Sequence, residues 1–359
     1  MLERTMKLIA AGLALAVACA PLAAWAQTPA NPDTPAADHH LHIFSAQAAA
    51  AANLGCKKMG PKACLATEET LSSTGADALA ALDAAGIQRG TLLSVGYMFG
   101  SPEIDDGSVD VTKAMRAENA YDVEQARLSC GRLVAFISVD PLLPNAVDEI
   151  DYWGRTGGAT GLKLHLGNSD FHFDRPDQVR KLAAVFKAAE RQHFAIVVHL
   201  RPRDPHGAAD VKVFLRDVAP MAPDVPIQVA HAGAGGSVDP DMLAALGAFA
   251  DAIAAHPEKT KNLYFDLAMV PDFFANRGKL RPPEPQRAAL RDLMHRIGLN
   301  RFLLASDWTK PLNLGPYYAN QKESLGLTET EWRQLASNVA PYFTAVSAPT
   351  SCSTEAKPG

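Results

Sequence analysis

The stretch Ala37-Asp38-His39-His40-Leu41-His42-Ile43-Phe44 decides how the rest of the chain is interpreted. If it forms a β-strand, alternate side chains point to opposite faces, so Asp38, His40 and His42 share one face and His39 points away from it. Imidazole nitrogens and carboxylate oxygens are the ligands that zinc and similar divalent ions accept. The stretch therefore predicts half of a metal site, and the remaining ligands must come from elsewhere in the chain.

The first 26 residues have the features of a secretory signal peptide. A short segment with Arg4 and Lys7 precedes an apolar run at 8–20, and an Ala-x-Ala site ends at Ala26. These features predict cleavage after Ala26 and a periplasmic or secreted protein. A lipoprotein anchor at Cys19 is the disfavoured alternative, because the usual leucine three residues before such a cysteine is missing. No apolar run is long enough to span a bilayer comfortably, so we expect no stable membrane insertion.

Composition narrows the class of protein further. The chain has 359 residues and a formal net charge of −5, which argues against a nucleic-acid partner. Its length suits one large barrel or two ordinary domains. Cleavage after Ala26 would remove Cys19 and leave four of the five cysteines, and outside the cytoplasm an even set predicts disulfides. Cys56 and Cys64 can join across one loop, which leaves Cys130 and Cys352 as the second pair by elimination.

The chain after residue 36 alternates between short apolar segments and segments with helical spacing. The predicted strands are 37–44, 91–97, 133–139, 161–166, 195–200, 227–231, 263–267 and 301–307. The predicted helices are 75–85, 111–128, 145–154, 176–192, 208–219, 240–256, 285–297 and a closing helix at 328–342, whereas 45–71 is expected to be irregular. Eight such units favour an α/β fold, a closed (β/α)8 TIM barrel spanning 37–344.

Two features complete this domain organisation. Residues 27–36 are expected to be a flexible tether, and 345–359 a flexible tail. An open doubly wound sheet is the structural alternative, but it usually has a glycine-rich turn after its first strand, and histidines occupy that place here.

Polar residues recur at the carboxyl ends of the predicted strands, where the active sites of parallel barrels lie. Each one ends, or nearly ends, an apolar run, where a solvated side chain would have no structural purpose. These residues are His40, His42, Lys163, His165, His199, His231 and Asp307.

The sequence resembles the amidohydrolase superfamily, most closely its amidohydrolase-related (amidohydrolase 2) branch of metal-dependent hydrolases and decarboxylases. The motifs that carry the resemblance are D-H-H-L-H at 38–42, G-L-K-L-H at 161–165, V-V-H at 197–199, V-A-H-A-G at 229–233 and A-S-D-W at 305–308. The segment S-N-V-A-P-Y-F at 337–343 resembles the closing N-x-A-x-x-F helix of that family. Together the motifs cover almost the whole predicted barrel in the order of the family.

The resemblance implies that His40, His42, His199 and Asp307 hold one divalent ion, with zinc expected, and that His231 lies beside it. An open coordination position would activate a water molecule. Asp307 would take a proton from that water and return it to the leaving group, and His231 would polarise or protonate the substrate.

Four further residues have less defined roles. Lys163 is either carbamylated, bridging two metals, or an ammonium that binds a substrate carboxylate or carbonyl, or it forms a salt bridge with Asp38 or Asp307. His165 and Arg201 are candidate contacts to the substrate, the arginine through bidentate bonds to an acidic group. Trp308 either lines the pocket or packs in the core.

The expected function is that of an exported metal-dependent hydrolase that cleaves a small ester, lactone or amide. One alternative is a metal-dependent, non-oxidative decarboxylase of a small aromatic or enolic acid. A second is a barrel that only binds a metal or a solute. In each case the expected partner is a small molecule, carboxylated in the case of an acid substrate.

Overall fold

The computed structural model describes residues 31–59, 71–102, 104–105, 107–201, 207–233, 238–270 and 282–343. The predicted signal peptide and the predicted tail lie outside these ranges. Residues 60–70, in the segment expected to be irregular, also lie outside them. The prediction of a disulfide between Cys56 and Cys64 also falls outside them, because no side chain of that pair is described.

Eight parallel strands pair in chain order, β1 to β8, and form the predicted (β/α)8 barrel. An isolated parallel bridge between Leu41 and Trp308 joins the last strand to the first. The strands are β1 Ala37–Leu41, β2 Arg89–Leu93, β3 Leu133–Ser138, β4 Gly161–His165, β5 Ala195–His199, β6 Ile227–Val229, β7 Leu263–Asp266 and β8 Phe302–Leu303.

Helices cover the outer face of this barrel. They are α1 Ala46–Met59, α2 Gly75–Ala85, α3 Val111–Leu128, α4 Ala146–Thr156, α5 Pro176–Arg191, α6 Ala208–Val213, α7 Pro240–Ala255, α8 Glu284–Ile297, α9 Leu314–Leu325 and α10 Glu329–Ser337. Most match the prediction within a few residues, and α3 matches it at both ends.

Four segments differ from the prediction. Helix α1 occupies much of the segment expected to be irregular, because the alanine run at 48–52 has high helix propensity. Helix α9 was not predicted, although Asn313 caps its start and Gly326 ends it with a φ of 64°. The predicted second strand ends early, since Gly96–Gly100 forms a 3-10 helix. The closing helix stops at Ser337, before a separate 3-10 turn at Pro341–Phe343.

Among the described residues the hydrophobic core has three clusters. The largest forms an outer layer between the strands and the helices, a second fills the barrel interior, and a third packs α1 against the 3-10 helix at Gly96–Gly100. The interior cluster includes Leu93, Phe136 and Val197, together with Tyr342 and Phe343 from the 3-10 turn at Pro341–Phe343. A barrel interior must be filled by inward-facing side chains, and these two aromatic residues are part of that filling.

Asp33, which precedes the first strand of the barrel, contacts helices near the other end of the described chain. Within the segment expected to be a flexible tether, Asp33 forms ion pairs with Lys322 and Arg333, and its carbonyl accepts a hydrogen bond from the Trp332 indole. Among the residues that the structure describes, no helix is both long enough and apolar enough to cross a membrane.

Helix α3 buries two carboxyl groups one turn apart, Glu118 and Asp122. Glu118 accepts hydrogen bonds from the backbone and hydroxyl of Ser45, but both Asp122 carboxyl oxygens are buried without a hydrogen-bond partner. Burial, followed by repulsion from Glu118, raises the pKa of Asp122 well above its ordinary value. A raised carboxyl pKa means that the protein loses stability as the pH rises from the unfolded-state pKa through the folded-state pKa.

We therefore expect Asp122→Asn to stabilise the protein in alkaline buffer. At pH 8.5 its free energy of unfolding should rise by about 1 kcal/mol, because the cost of ionising the buried carboxyl group is removed and each unit of raised pKa is worth on the order of 1 kcal/mol. The gain should shrink toward pH 4, where the carboxyl group is protonated in the folded protein. Thermal unfolding across this pH range measures the effect. Glu124→Gln, at an exposed position of the same helix, is the matched control and should change stability by less than roughly 0.5 kcal/mol. An Asp122→Asn variant with the same pH profile as the unmodified protein would contradict this account.

Candidate metal centre

Three potential ligand atoms converge where β1 and β8 meet. His40 Nε2 and His42 Nε2 lie 3.1 Å apart, and Asp307 Oδ1 lies 3.2 Å from each of them. Ligand atoms bound tetrahedrally to zinc at ~2.1 Å lie roughly 3.4 Å apart, so this spacing suits such an ion. Within the described residues, these three side chains form the one group of histidine, cysteine or carboxylate ligands close enough to share an ion.

The hydrogen bonds of both histidines fix which nitrogen is available. His42 Nδ1 lies 2.6 Å from the Leu93 carbonyl oxygen, and His40 Nδ1 lies 3.1 Å from an Asp266 carboxylate oxygen. Because these oxygens only accept, each Nδ1 carries the hydrogen and each Nε2 presents a lone pair. Burial lowers the pKa of His40 to about 3, so its ring is neutral at physiological pH, as a metal ligand must be.

Asp307 supplies the third potential ligand, a carboxylate oxygen. Burial alone would raise its pKa, but the interactions with His40 and His42 hold the pKa of Asp307 well below its ordinary value. The carboxylate is therefore ionised. Its backbone adopts the left-handed conformation, with a φ of 58°. Two imidazoles and one carboxylate are an appropriate set for a divalent ion with positions left for water or substrate.

The face prediction for β1 is wrong for two residues. Asp38 pairs with Gly90 and Leu41 with Leu92, so β1 has one more residue than β2 in this interval and forms a bulge. As a consequence His39 is buried in the barrel interior against Phe343, with ring centroids 5.6 Å apart. Asp38 does not line the cavity that His40 and His42 line, and its Oδ1 accepts the N–H groups of His40 and Ser306.

The bonding of His39 also excludes it as a ligand. Its Nδ1 lies 2.8 Å from the Leu304 carbonyl oxygen, and its Nε2 accepts the Ala340 N–H at 3.1 Å. With both ring nitrogens bonded to the backbone, His39 ties β1 to β8 and to the end of the chain.

His231 follows β6 and lies beside the three potential ligands. Its ring centroid is 5.0 Å from that of His40, and its Nδ1 bonds the Ala268 carbonyl oxygen at 2.8 Å, so that in the neutral ring Nε2 is an acceptor. The φ angles of His231 and Ala232 are 54° and 51°, in the left-handed region that non-glycine residues rarely adopt. Such backbone strain is common at functional sites.

His199 and His165 line the same cavity, and the His199 ring centroid lies 4.8 Å from that of His231. Their rings stack with centroids 4.0 Å apart, and Tyr97 lies 5.1 Å beyond His165. The His165 Nδ1 accepts the Asn168 N–H, so in the neutral ring Nε2 carries a hydrogen that it can donate. His199 lines the same cavity as His40 and His42 but does not belong to the compact three-residue group. Its role as a fourth ligand stays a prediction.

Lys163 is buried at the base of the site. Its Nζ lies 3.2 Å from His40 Nε2, and burial lowers its pKa to about 8. A lysine in this state is mostly an ammonium at neutral pH, with an appreciable neutral fraction available for carbamylation. Both chemical forms predicted for Lys163 therefore stay open.

Asp266, at the end of β7, is a site residue that the sequence prediction missed. Its Oδ2 bonds His40 Nδ1 and accepts from Gln228 Nε2 at 2.7 Å, and its Oδ1 accepts the N–H groups of His231 and Ala268 at 2.8 and 3.1 Å. Burial would raise the pKa of Asp266, but its interactions with His40 and His231 hold the pKa well below the ordinary value. The pattern that identified the other site residues, a polar residue that ends an apolar strand, also applies to Asp266.

Two residues predicted to contact substrate have other partners. The Arg201 guanidinium bonds Asp239 at 2.9 Å, just before α7. Trp308 is buried in the outer core layer, its indole donating to the Leu312 carbonyl oxygen. For Trp308 the structure favours packing over pocket lining.

The potential ligands open into a cavity of about 360 Å³, which is enough for a small organic molecule. Its lining includes Lys163 and the five histidines at strand ends. It also includes apolar side chains, among them Phe44, Val95 and Met269, and the Tyr97 ring lies 5.1 Å from that of His165. A ligand that has both polar and apolar groups would match this lining.

A parallel eight-stranded barrel with imidazole and carboxylate groups at the carboxyl ends of its strands defines a class of metal-dependent TIM-barrel enzymes. The chain belongs to the Amidohydro_2 family, whose model, described as amidohydrolase, matches residues 37–337. This confirms the resemblance inferred from the motifs. A search of curated proteins finds no match.

Several solved structures share the fold of this chain. A protein from Pseudomonas putida provisionally assigned as a 2-pyrone-4,6-dicarboxylic acid hydrolase is 18% identical, with a TM-score of 0.51 over 84% of this chain and 94% of its own. The 5-carboxyvanillate decarboxylase of Novosphingobium aromaticivorans with bound manganese is 14% identical, with a TM-score of 0.57 over 88% and 98%. A Burkholderia multivorans amidohydrolase with bound zinc is 16% identical, with a TM-score of 0.52 over 87% and 98%.

Replacing Asp266 tests its effect on the metal centre. We expect Asp266→Asn to weaken Zn²⁺ binding by roughly 10- to 100-fold, because the carboxylate that orients His40 is lost. Competition with a fluorescent chelator measures the affinity. Tyr264→Phe, two residues earlier on β7, is the control and should bind zinc as the unmodified protein does. Equal affinity in all three proteins would show that Asp266 does not support the centre.

Proposed function

We propose that the protein is an exported metal-dependent hydrolase that uses activated water to cleave a small ester, lactone or amide. The observation that carries the proposal is the group formed by His40 Nε2, His42 Nε2 and Asp307 Oδ1, at separations of 3.1 to 3.2 Å, beside a cavity for a small substrate. Membership of a metal-dependent enzyme family supports the presence of an ion at this group.

In this proposal the residues of the site have the following roles. A divalent ion held by His40, His42 and Asp307, with His199 as a further candidate, would supply Lewis acidity and lower the pKa of bound water. Asp307 is ionised and partly accessible, so it can accept a proton from water and return it to the leaving group. In the attack, water oxygen bonds to the carbonyl carbon and the bond to the leaving group then breaks.

The walls of the cavity would bind the substrate. The His165 Nε2–H is a hydrogen-bond donor, and His231, if protonated, can donate to or polarise a carbonyl oxygen. The Lys163 ammonium would pair with a substrate carboxylate. The apolar side chains in the lining, among them Phe44 and Val95, would exclude water from the remainder of the substrate.

Export is supported by the leader-like N-terminal sequence and by one structural feature. Cys130 is disulfide-bonded, and disulfides persist in oxidising compartments. Its partner lies outside the described residues, so pairing with Cys352 stays a prediction.

The second candidate is a metal-dependent decarboxylase. Two solved structures of similar fold are decarboxylases of aromatic acids, and a buried lysine beside the potential ligands suits a carboxylated substrate. A barrel that binds a metal or a solute without turnover is the third candidate, and it predicts no effect of Asp307 on any reaction.

One screen separates these functions. Protein lacking residues 1–26 is loaded with Zn²⁺, and turnover is followed by proton release for lactones and esters, by amine release for amides and by carbon dioxide release for aromatic acids. Hydrolysis of a neutral ester or lactone releases acid, whereas decarboxylation releases carbon dioxide. Metal analysis should give one divalent ion per chain, or two if Lys163 is carbamylated. Release of carbon dioxide would contradict the proposed hydrolase and favour the decarboxylase.

The active substrate then tests the role of Asp307. We expect Asp307→Asn to lower kcat by at least ~100-fold, because the base that accepts the proton is lost. His295→Gln, at an exposed ion pair with Glu331, should leave kcat unchanged. Full turnover by the Asp307→Asn protein would refute the proposed mechanism.

A further inference from the structure

A chain of hydrogen bonds runs from the end of the described chain to the metal centre. The Tyr342 hydroxyl lies 2.8 Å from Gln228 Oε1, Gln228 Nε2 lies 2.7 Å from Asp266 Oδ2, and that oxygen lies 3.1 Å from His40 Nδ1. Tyr342 is outside the range matched by the family model, which ends at residue 337.

Donor and acceptor chemistry gives this chain a single direction. Gln228 Nε2 also bonds the His39 carbonyl oxygen at 3.1 Å, and neither a carboxylate nor a carbonyl oxygen can donate. Nε2 must therefore use both of its hydrogens on Asp266 and His39. Gln228 Oε1 then faces Tyr342, whose hydroxyl donates to it and accepts from Thr91 Oγ1 at 3.3 Å.

Every link of the chain is buried. Tyr342 is 4% exposed, Gln228 1% and Asp266 0%. Where water cannot replace a lost partner, an unpaired amide oxygen costs on the order of 1–3 kcal/mol, so removing the Tyr342 hydroxyl would favour a different orientation of the Gln228 amide. A reoriented amide would withdraw its donor from Asp266 and loosen the carboxylate that orients His40.

We propose that Tyr342 is a positioning residue that acts through Gln228 and Asp266 to keep the hydrogen of His40 on Nδ1, with Nε2 free for a metal ion. The link to metal binding rests on the proposed function, whereas the hydrogen-bond chain does not. The 3-10 turn at Pro341–Phe343 thus has a second role besides filling the barrel, because it supplies the residue at which the hydrogen-bond chain to the metal centre begins.

The competing explanation is that Tyr342 only packs. Its ring centroid lies 4.9 Å from that of Phe136 and 5.1 Å from that of Phe343. Tyr342→Phe separates the explanations, because it keeps the ring and removes only the hydroxyl. Thr91→Val is the matched control, since it removes the other hydrogen bond to that hydroxyl and leaves the bond between Tyr342 and Gln228 in place.

Two measurements that do not depend on turnover test the proposal. Long-range ¹H–¹⁵N correlation spectra of the metal-free protein report which nitrogen of His40 carries the hydrogen, and chelator competition reports Zn²⁺ affinity. We expect Tyr342→Phe to perturb the His40 Nδ1 and Nε2 shifts and to weaken zinc binding by roughly three- to tenfold, less than loss of a direct partner of the ligand. Thr91→Val should do neither.

A double-mutant cycle tests whether Tyr342 acts through Gln228. In a Gln228→Leu protein the chain is already broken, so adding Tyr342→Phe should have no further effect on zinc affinity. If Tyr342→Phe lowers the melting temperature but leaves both the His40 signals and the zinc affinity unchanged, its role is packing and the proposal fails. Because the histidine spectra require neither metal nor substrate, a protein without hydrolase activity would still give a decisive result.

Discussion

The carboxylate of Asp266 is the group on which the rest of the site depends. It accepts four hydrogen bonds, from the His40 ring, the Gln228 amide and the backbone N–H groups of His231 and Ala268. Those donors belong to β1, to β6 with the turn after it, and to the turn after β7. Hydrogen bonds to a buried charge are worth about 1.5–3 kcal/mol each, so this carboxylate holds three parts of the barrel in register around the candidate ligands.

Closure of the barrel brings the two halves of the candidate centre together. The Asp38 carboxylate accepts the N–H groups of His40 and Ser306, and the backbone of Trp308 bonds that of His40 and His42. The ends of β1 and β8 are thereby joined at the residues next to the potential ligands. A parallel sheet that stayed open would leave Asp307 far from His40 and His42.

Much of this arrangement could be predicted from sequence because its causes are local. Apolar strands alternating with helices specify the barrel, and polar residues that end such strands point to the site. The bulge in β1 could not be predicted, because both faces of this strand carry histidines and no apolar alternation marks the extra residue. Neither could the contacts of Tyr342 with Gln228, since they join residues more than 100 positions apart that lie in a shared interior.

The lining of the cavity is compatible with either proposed reaction, because Lys163 and the histidines occur in it beside apolar side chains. In either reaction the candidate ligands and the buried lysine would bind the charged end of a substrate, and the apolar side chains would contact the remainder. Under both proposals the reaction would depend on where the substrate places its carbonyl or carboxyl carbon relative to Asp307 and His231.

The central claim is that His40, His42 and Asp307 share one divalent ion. Anomalous diffraction at the zinc edge from crystals of the zinc-loaded protein tests it most directly. The account predicts one strong peak within about 2.0–2.3 Å of His40 Nε2, His42 Nε2 and an Asp307 carboxylate oxygen, with a second peak near Lys163 only if that lysine is carbamylated. Zinc bound elsewhere, with these three side chains free of metal, would contradict it.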